Sequence, residues 1–356
     1  MTVCYFGIYK ADYNRNKIIM AGLKANGINI VECNSRLKGT AKYFDLIKKH
    51  RALKNNYDAI IVGFPGYQAM ILAKFITRRP IIFDAFFSFY DAMVNDRHKV
   101  GKFNPLAWYY WFLDWLSCSL ADKILLDTDE HIKYFVRTFS LKKEKFIRIF
   151  IGADINVYKP MPPKETNDHF IVHFHGSYIA NQGIDYIVDA ADKLKEEDII
   201  FSLVGAGQDF ERIKNRVAEL KLEKKFLMRG FLPISDLLTS ISNADICLGI
   251  FGSGEKTKRI ISNKIFECLA CRRALITADT PAMRELFSDQ EIAFCRASDG
   301  QNLADKILYL KNNPQVRQNL AEASYKFFLN HSQPAILTAE LAKIIKSLKN
   351  RTWKYA

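Results

Sequence analysis

The sequence has no window of the roughly 20 apolar residues that a membrane-spanning helix needs, no low-complexity tract and no long block of like charge. Its seven cysteines form no pairs in sequence apart from Cys268 and Cys271. No second pair or nearby histidine completes a zinc site, and an odd cysteine count argues against a disulfide scaffold. A metal or redox role for Cys268 and Cys271 is therefore the weaker interpretation.

The chain begins directly in a predicted strand, so we expect no signal peptide. An intracellular, cytoplasmic protein is expected, either soluble or bound to a membrane surface. No acidic cluster resembles the Asp-x-Asp metal motif of some transferases. We therefore expect neither a metal ion nor a cofactor.

Acidic residues are scarce relative to basic ones. The 52 Lys and Arg against 38 Asp and Glu give a net charge of +14. Such an excess indicates an anionic partner: nucleic acid, the phosphates of a small ligand, or an acidic membrane. A compact basic motif with interleaved stacking aromatics is missing, which argues against nucleic acid.

Short apolar runs alternate with amphipathic stretches along most of the 356 residues, which is typical of parallel α/β sheets. Predicted strands lie near residues 3–9, 29–33, 58–63, 80–84, 121–127 and 146–151, then, after a proline-rich linker at 154–168, near 170–175, 199–204, 226–229, 246–249 and 274–277. We predict an α/β protein of two Rossmann-like domains facing a cleft. Residues 1–158 form the first, with helix 333–356 crossing back to it, and residues 159–332 form the second.

Three turns of the second half place glycine after a strand and before a helix, at Gly176, Gly205 and Gly230. Glycine lets a ligand approach the backbone, and the helix that follows presents free amides to an anion. A single glycine after a strand most often marks only a turn, but three such turns in this order indicate a nucleotide-binding cleft. The stretch EKTKRIISNKIFECLAC (255–271) then carries a cluster of four cations, Lys256, Lys258, Arg259 and Lys264, at the start of another predicted helix.

The segments HGSYIANQGIDYIVDAADKL, LVGAGQDFERIKNRVAELKL, RGFLPISDLLTSISNADICLGIF and NKIFECLACRRALITADTPAMREL resemble, in this order, glycosyltransferase family 4. The likeness covers roughly residues 170–290 and is looser in the first half, at DAFFSFYD, ADKILLDTDEHIKYF and IGADINVYKP. It implies the GT-B fold and a retaining glycosyltransferase of hexosyl or N-acetylhexosaminyl type. The donor, a UDP- or GDP-linked sugar, would bind the second domain and the acceptor the first.

The resemblance assigns donor-binding roles within the second domain. Glu267 matches a family glutamate that binds the ribose hydroxyls, the Gly230–Phe231 turn would lie against the base, and Gly176 would lie beside the diphosphate. The predicted donor-binding residues are Gly176, Ser177, Gln182, Gly183, Gly205, Gly230, Phe231, Lys256, Lys258, Asn263, Lys264 and Glu267.

The chain departs from the pattern of this family at three positions. Arg259 stands where the family has its other glutamate, and Ser177 and Gln182 replace an Arg and a Lys of the first glycine turn. We predict that Lys256, Lys258, Arg259 and Lys264 bind the diphosphate instead, with Arg259 acting on the leaving group. A solvated basic loop is the alternative. Arg259 is also compatible with a catalytically silent subunit that binds sugar nucleotides.

In the first domain, Asp84 and Asp91 are the predicted catalytic carboxylates. Asp84 is expected to end a strand and to orient an acceptor hydroxyl, since the departing phosphate can take the acceptor proton in retaining chemistry of this type. A helix cap or a loop ion pair is the alternative for Asp84. Arg15 is a candidate for an acceptor phosphate, against the default of a surface arginine.

The segment Asn104–Leu116 carries three Trp and two Tyr in thirteen residues. An aromatic-rich amphipathic helix can lie in the headgroup region of a bilayer, and basic residues flank it at Arg97, Lys99 and Lys102, with more in 137–148 and 343–354. We predict a lipid-linked glycan acceptor on the inner face of the plasma membrane, as in polysaccharide, O-antigen or glycoprotein glycan assembly. A core helix or dimer face, and a soluble acceptor, are the alternatives.

Overall fold

The computed structural model describes residues 1–97, 99–162 and 169–352. The chain forms two compact units, Met1–Gly152 with Gln333–Ala356, and Ala153–Ser332. The division falls after Gly152, whereas the predicted boundary followed residue 158. Residues 163–168 of the predicted linker and 353–356 of the predicted last helix lie outside the described residues.

The first unit is built on a parallel sheet in the order β2-β1-β3-β4-β5-β6. Its strands are β1 (Thr2–Gly7), β2 (Asn29–Asn34), β3 (Ala59–Val62), β4 (Ile81–Phe86), β5 (Lys123–Leu126) and β6 (Phe146–Arg148). Its first helices are α1 (Asn14–Ala25), α2 (Ala41–Ala52), α3 (Tyr67–Ile76), α4 (Pro105–Leu120) and α5 (Asp129–Phe139), with a π-helical segment at Asp91–Asp96. Both β3 and β4 are buried along their whole length, as expected of parallel strands covered on both faces.

The second unit has a parallel sheet in the order β12-β11-β10-β7-β8-β9. The strands are β7 (Phe170–His175), β8 (Ile199–Val204), β9 (Phe226–Arg229), β10 (Ile246–Leu248), β11 (Ala274–Ala278) and β12 (Ala293–Cys295). The helices are α6 (Ile184–Lys193), α7 (Phe210–Glu219), α8 (Ile234–Ser242), α9 (Asn263–Ala270), α10 (Pro281–Arg284), α11 (Gly300–Asn312) and α12 (Pro314–His331).

Strand order in the second unit reverses between β7 and β10. β7 pairs with β8 on one side and with β10 on the other, where Ile246 lies opposite Val172. Ligands of open parallel sheets bind outside the carboxyl ends of the strands at such a reversal. The loops that follow β7 and β10 are therefore where a site is expected.

The chain returns to the first unit through α13 (Pro334–Leu337) and α14 (Ala339–Thr352). Gly22 of α1 makes this packing close, because a Cβ there would lie 2.1 Å from the carbonyl oxygen of Pro334. The Asn26 side chain, at the end of α1, donates to the carbonyl of Ala335 at 2.8 Å. The final segment thus forms part of the first unit's core, with Leu341 and Ile345 fully buried.

The two-sheet α/β architecture confirms the predicted fold class. β12 was not predicted, and β4 continues to Phe86 rather than ending at Asp84. The ends of other strands, among them β1, β5 and β6, also differ from the predicted bounds. None of the described helices is long and apolar enough to cross a membrane.

Candidate functional site

The turns after β7 and β8 touch through their glycine backbones. Gly176 and Gly205 have φ angles of +150° and +139°, and a Cβ on Gly205 would lie 1.9 Å from the carbonyl oxygen of Gly176. Since backbone atoms cannot move aside as a flexible side chain can, glycine is required at position 205. The first two predicted glycine turns therefore form one contiguous backbone surface at the carboxyl edge of the sheet.

Lys264, on the first turn of α9, reaches this surface. Only 5% of the residue is exposed, its amine donates a hydrogen bond to Oε1 of Gln182, and its Nζ lies 3.5 Å from the centroid of the Phe174 ring. A Cβ on Gly176 would lie 2.8 Å from the same Nζ. Burial holds the pKa of Lys264 well below its usual range, although Cys268 and Glu267 act in the opposite direction.

Glu267 lies one turn further along α9, on the same helix face as Lys264. It is 8% exposed, and its Oε2 lies 2.8 Å from Nε2 of His175, the last residue of β7. The Tyr158 hydroxyl also bonds to Glu267. The pKa of Tyr158 is raised mainly by burial, and the Glu267 carboxylate raises it further. Sequence reasoning predicted Glu267 but missed both partners.

The remaining predicted cations lie in unlike surroundings. Lys258 is exposed and pairs with the exposed Glu255 at 2.6 Å. Arg259 is buried, and its Nε donates to the Glu255 carbonyl at 3.0 Å. Lys256 is half-buried. Among the predicted phosphate-binding cations, Lys264 is brought by the structure against the Gly176 turn.

Other predicted donor-binding residues surround the same edge. Gln182 and Gly183 are buried, Ser177 is exposed and Asn263 is half-buried. Gly230 follows β9 with open space around it, and the neighbouring Phe231 ring is 72% exposed. A cavity of about 690 Å³ lies between β8, β9 and α8 beside this turn, lined among others by Ser202, Leu227, Arg229, Leu232 and Asp236.

In the first unit, Asp84 lies inside β4 and is fully buried. Both carboxylate oxygens accept from the Arg15 guanidinium at 3.0 to 3.2 Å, and the other Arg15 terminal nitrogen donates to the Ile149 carbonyl. Burial raises the pKa of Asp84 against the opposing effect of Arg15. Arg15 is 1% exposed, so the expectation of a surface arginine is wrong. Asp84 thus forms a buried ion pair that joins β4 to α1, and its role in orienting an acceptor hydroxyl stays a prediction.

Asp91 begins the π-helical segment and is 2% exposed. Its Oδ1 accepts from Nδ2 of Asn95 at 3.0 Å, and its backbone amide donates to the Ser88 hydroxyl at 2.9 Å. In this structure the Asp91 side chain is thus bonded within its own segment.

A third buried carboxylate, Asp114 of α4, was not predicted. It accepts from the Ser88 hydroxyl at 2.5 Å and from the amides of Phe89 and Tyr90 at 3.1 and 3.0 Å. Burial raises the pKa of Asp114 to about 7 despite these hydrogen bonds. Asp114 therefore anchors the loop after β4 to α4.

Cys268 and Cys271 are both buried free thiols. Within the described residues, no group of three or more His, Cys, Asp or Glu side chains is arranged to hold a metal ion.

Known proteins resemble this chain in part of its sequence and in its fold. Residues 159–327 match the family model "Glycosyl transferases group 1". The uncharacterized glycosyltransferase MJ1178 of Methanocaldococcus jannaschii is 25% identical over 157 residues, which cover 43% of this chain and 42% of that protein. The match thus spans less than half of the curated relative.

Solved structures resemble nearly the whole chain. HepE of Anabaena, solved with UDP, has a TM-score of 0.71 at 15% identity, covering 98% of this chain and 100% of HepE. Sucrose-phosphate synthase of Thermosynechococcus elongatus has a TM-score of 0.76 at 12% identity, covering 98% and 99%. The chain therefore has the GT-B fold, and the match to the group 1 glycosyl transferase model lies within its second unit.

Proposed function

We propose that this protein is a retaining glycosyltransferase that moves a sugar from a nucleotide-sugar donor to an acceptor glycan. The observation that carries the proposal is the meeting of Lys264 and Glu267, on one face of α9, with the Gly176 turn after β7. A cation and a carboxylate one helical turn apart match the diphosphate and ribose of one nucleotide. The family match of residues 159–327 supports the same assignment.

Each group has a chemical task in this proposal. The amine of Lys264 neutralises the diphosphate, which gains negative charge as the glycosidic bond breaks, so that a cation fixed there lowers the barrier. Glu267 accepts hydrogen bonds from the vicinal ribose hydroxyls. The departing phosphate takes the acceptor proton, so no strong protein base is required. Arg259, Asp84 and Asp91 stay predicted contributors.

A UDP-sugar is the first donor to test, because the HepE structures contain UDP and UDP-glucose. Thermal unfolding with a panel of UDP- and GDP-sugars detects binding, since a ligand of the folded state raises the melting temperature. Glu267→Gln should lose most of the shift, whereas Glu255→Gln, at an exposed carboxylate in the loop before α9, should keep it. If no nucleotide sugar stabilises the wild-type protein, the proposal is wrong.

Transfer itself requires an acceptor, and we propose a lipid-linked glycan at an anionic membrane surface. One solvent-exposed face of α4 carries large apolar side chains. The exposed fraction is 66% for Trp108 and 49% for Phe112, and it is 95% for Phe103, just before the helix. Phe75 of α3, which packs beside α4, is 82% exposed. An aromatic face of this kind suits the headgroup region of a bilayer.

Charge favours the same partner. Exposed cations lie close to the aromatic face in sequence. They are Lys74 in the last turn of α3, Arg78 and Arg79 after that helix, and Lys99 and Lys102 before α4. Each cation near an anionic leaflet contributes about 1 kcal/mol. Trp111 does not belong to this face: it is half-buried, and its indole nitrogen donates to the Thr138 carbonyl at 3.3 Å.

Cosedimentation with vesicles of phosphatidylglycerol and phosphatidylcholine tests the membrane partner. The double variant Trp108→Ser with Phe112→Ser should lose most binding. The control is Tyr309→Ser with Val316→Ser, which removes exposed apolar side chains from the second unit and should bind normally. Unchanged binding by the Trp108 and Phe112 variant would exclude the α4 face.

A further inference from the structure

Two histidines of β7 connect the interior of the second unit to Glu267. His173 and His175 alternate along the strand and share one face of the sheet. Nε2 of His173 lies 3.1 Å from Nδ1 of His175, and Nε2 of His175 lies 2.8 Å from Oε2 of Glu267. His173 is fully buried and His175 is 7% exposed, so the chain of hydrogen bonds is shielded from water.

The donor and the acceptor of each hydrogen bond in this series can be assigned by starting from Glu267. An ionised carboxylate accepts only, so Nε2 of His175 donates to Glu267 and its Nδ1 is left to accept. Nε2 of His173 then donates to that Nδ1. Nδ1 of His173, a buried atom with no partner, is consequently a lone pair rather than an N–H group.

The electrostatic surroundings keep His173 uncharged. Burial lowers the pKa of His173 well below its usual range, and His175, Arg229 and Lys264 act in the same direction. A neutral His173 holds one proton, on Nε2 in the arrangement above. His175 is therefore held in a single tautomer, with its N–H aimed at the carboxylate.

Tyr158 holds Glu267 as a second donor, from the segment before β7. A carboxylate has about four acceptor positions. His175 and Tyr158 occupy two, which leaves two for a pair of neighbouring hydroxyl groups. The two protein donors thus fix the carboxylate and leave it the capacity that a ribose needs.

We propose that His175 and Tyr158 are positioning residues that hold Glu267 in the orientation that receives the ribose hydroxyls of the donor, and that His173 sets the tautomer of His175. The proposal rests on the donor site proposed above. In this proposal the hydrogen-bonded series from His173 through His175 to Glu267 serves recognition of the ribose, and not of the base or the phosphates.

The test compares UDP with 2′-deoxy-UDP and 3′-deoxy-UDP by calorimetry, because a group acting through Glu267 affects only ligands that carry the hydroxyls. The variants are His175→Leu, which removes the donor, His175→Gln, whose amide can restore it, and Tyr158→Phe. Glu267→Gln serves as the reference. His169→Leu is the matched control, since His169 precedes the same strand and bonds to Asp198, an exposed carboxylate.

The preference for UDP over its deoxy analogues should fall about tenfold in His175→Leu, the scale of one hydrogen bond to a charged group. It should fall severalfold in Tyr158→Phe and return largely in His175→Gln. His169→Leu should match wild type. Because the preference is a ratio measured on the folded protein, a loss of stability does not mimic this result.

Two outcomes contradict the proposal in distinguishable ways. If wild type prefers UDP and Glu267→Gln loses the preference, but His175→Leu keeps it within twofold, the positioning role is wrong and the donor site stands. If wild type binds neither UDP nor GDP, the proposed function fails, and the positioning role fails with it.

Discussion

Replacing Lys264 with Met should stabilise the free protein while weakening its binding of nucleoside diphosphates. Among the residues that the structure describes, the Lys264 amine contacts one amide oxygen, that of Gln182, and the face of the Phe174 ring. Burial lowers the pKa of Lys264 well below 10.5. Burial therefore disfavours the protonated form of Lys264, which is the form that a diphosphate would bind.

The pH dependence of this effect has a definite sign. The unfolded chain binds the Lys264 proton more tightly than the folded protein, so the cost to stability is fully present below the folded pKa. It disappears as the pH rises towards 10.5, the ordinary value. The stability of wild type relative to Lys264→Met should accordingly increase with pH. Each kcal/mol relieved by the substitution should raise the melting temperature by roughly 2–4 °C.

Binding should change in the opposite direction. A charge-assisted hydrogen bond contributes about 1.5–3 kcal/mol, which corresponds to roughly a 10- to 150-fold loss of UDP affinity in Lys264→Met. Wild type should also take up protons when UDP binds, because the phosphate raises the pKa of the amine. Calorimetry in buffers of different ionisation enthalpy measures this uptake, which the variant should lack.

Lys195→Met is the matched control, since Lys195 is exposed on the second unit and pairs with Asp192 on the surface. An exposed ion pair contributes about 0–1 kcal/mol, so this variant should retain UDP affinity within a few-fold. If Lys264→Met binds UDP as wild type does, or loses no more than the control, the assignment of Lys264 to the diphosphate is refuted.

Two further predictions concern stability. Burial raises the pKa of Asp114 from 3.8 to about 7, so the folded protein holds the proton more tightly and stability should fall between about pH 4 and 7, by on the order of 4 kcal/mol. Urea unfolding at pH 5 and 8 should show this fall reduced in Asp114→Asn, and equal falls would contradict it. Gly205→Ala should cost several kcal/mol, because its Cβ would lie 1.9 Å from a backbone oxygen. Gly230→Ala, with open space around it, should change the free energy of unfolding by less than about 0.5 kcal/mol, and similar losses in both variants would refute the steric argument.

Much of the second unit could be predicted from its sequence because its strands are short apolar runs ended by glycine turns. The predicted bounds of β7, β8 and β9 agree with the structure. β12 (Ala293–Cys295) was missed because its apolar run, residues 292–295, is short and lies between Glu291 and Arg296. β6 and β10 are also three residues long, but longer apolar stretches continue beyond them.

Contacts between distant segments were not predictable in the same way. Arg15 and Asp84 are 69 residues apart, and each alone is compatible with a surface position. Their pairing depends on β1 and β4 lying on either side of β3. His175 did carry a signal, because the alternating His173-Phe174-His175 puts both histidines on one face of a strand, but nothing in the sequence places Glu267 opposite them.

The contact between Lys264 and Gln182 bears on the proposed diphosphate site, because the chain departs there from the pattern of the family that it resembles. Gln182 stands where the resembling family has a lysine in the first glycine turn. β10 pairs with β7, so the loop and helix that follow β10 come to lie beside that turn. The Lys264 amine, carried by α9, donates to the Gln182 side chain and so reaches the place of the missing lysine. This contact supports the prediction that phosphate recognition has moved from the first glycine turn to the stretch before and within α9, with Lys264 rather than Arg259 as its principal cation.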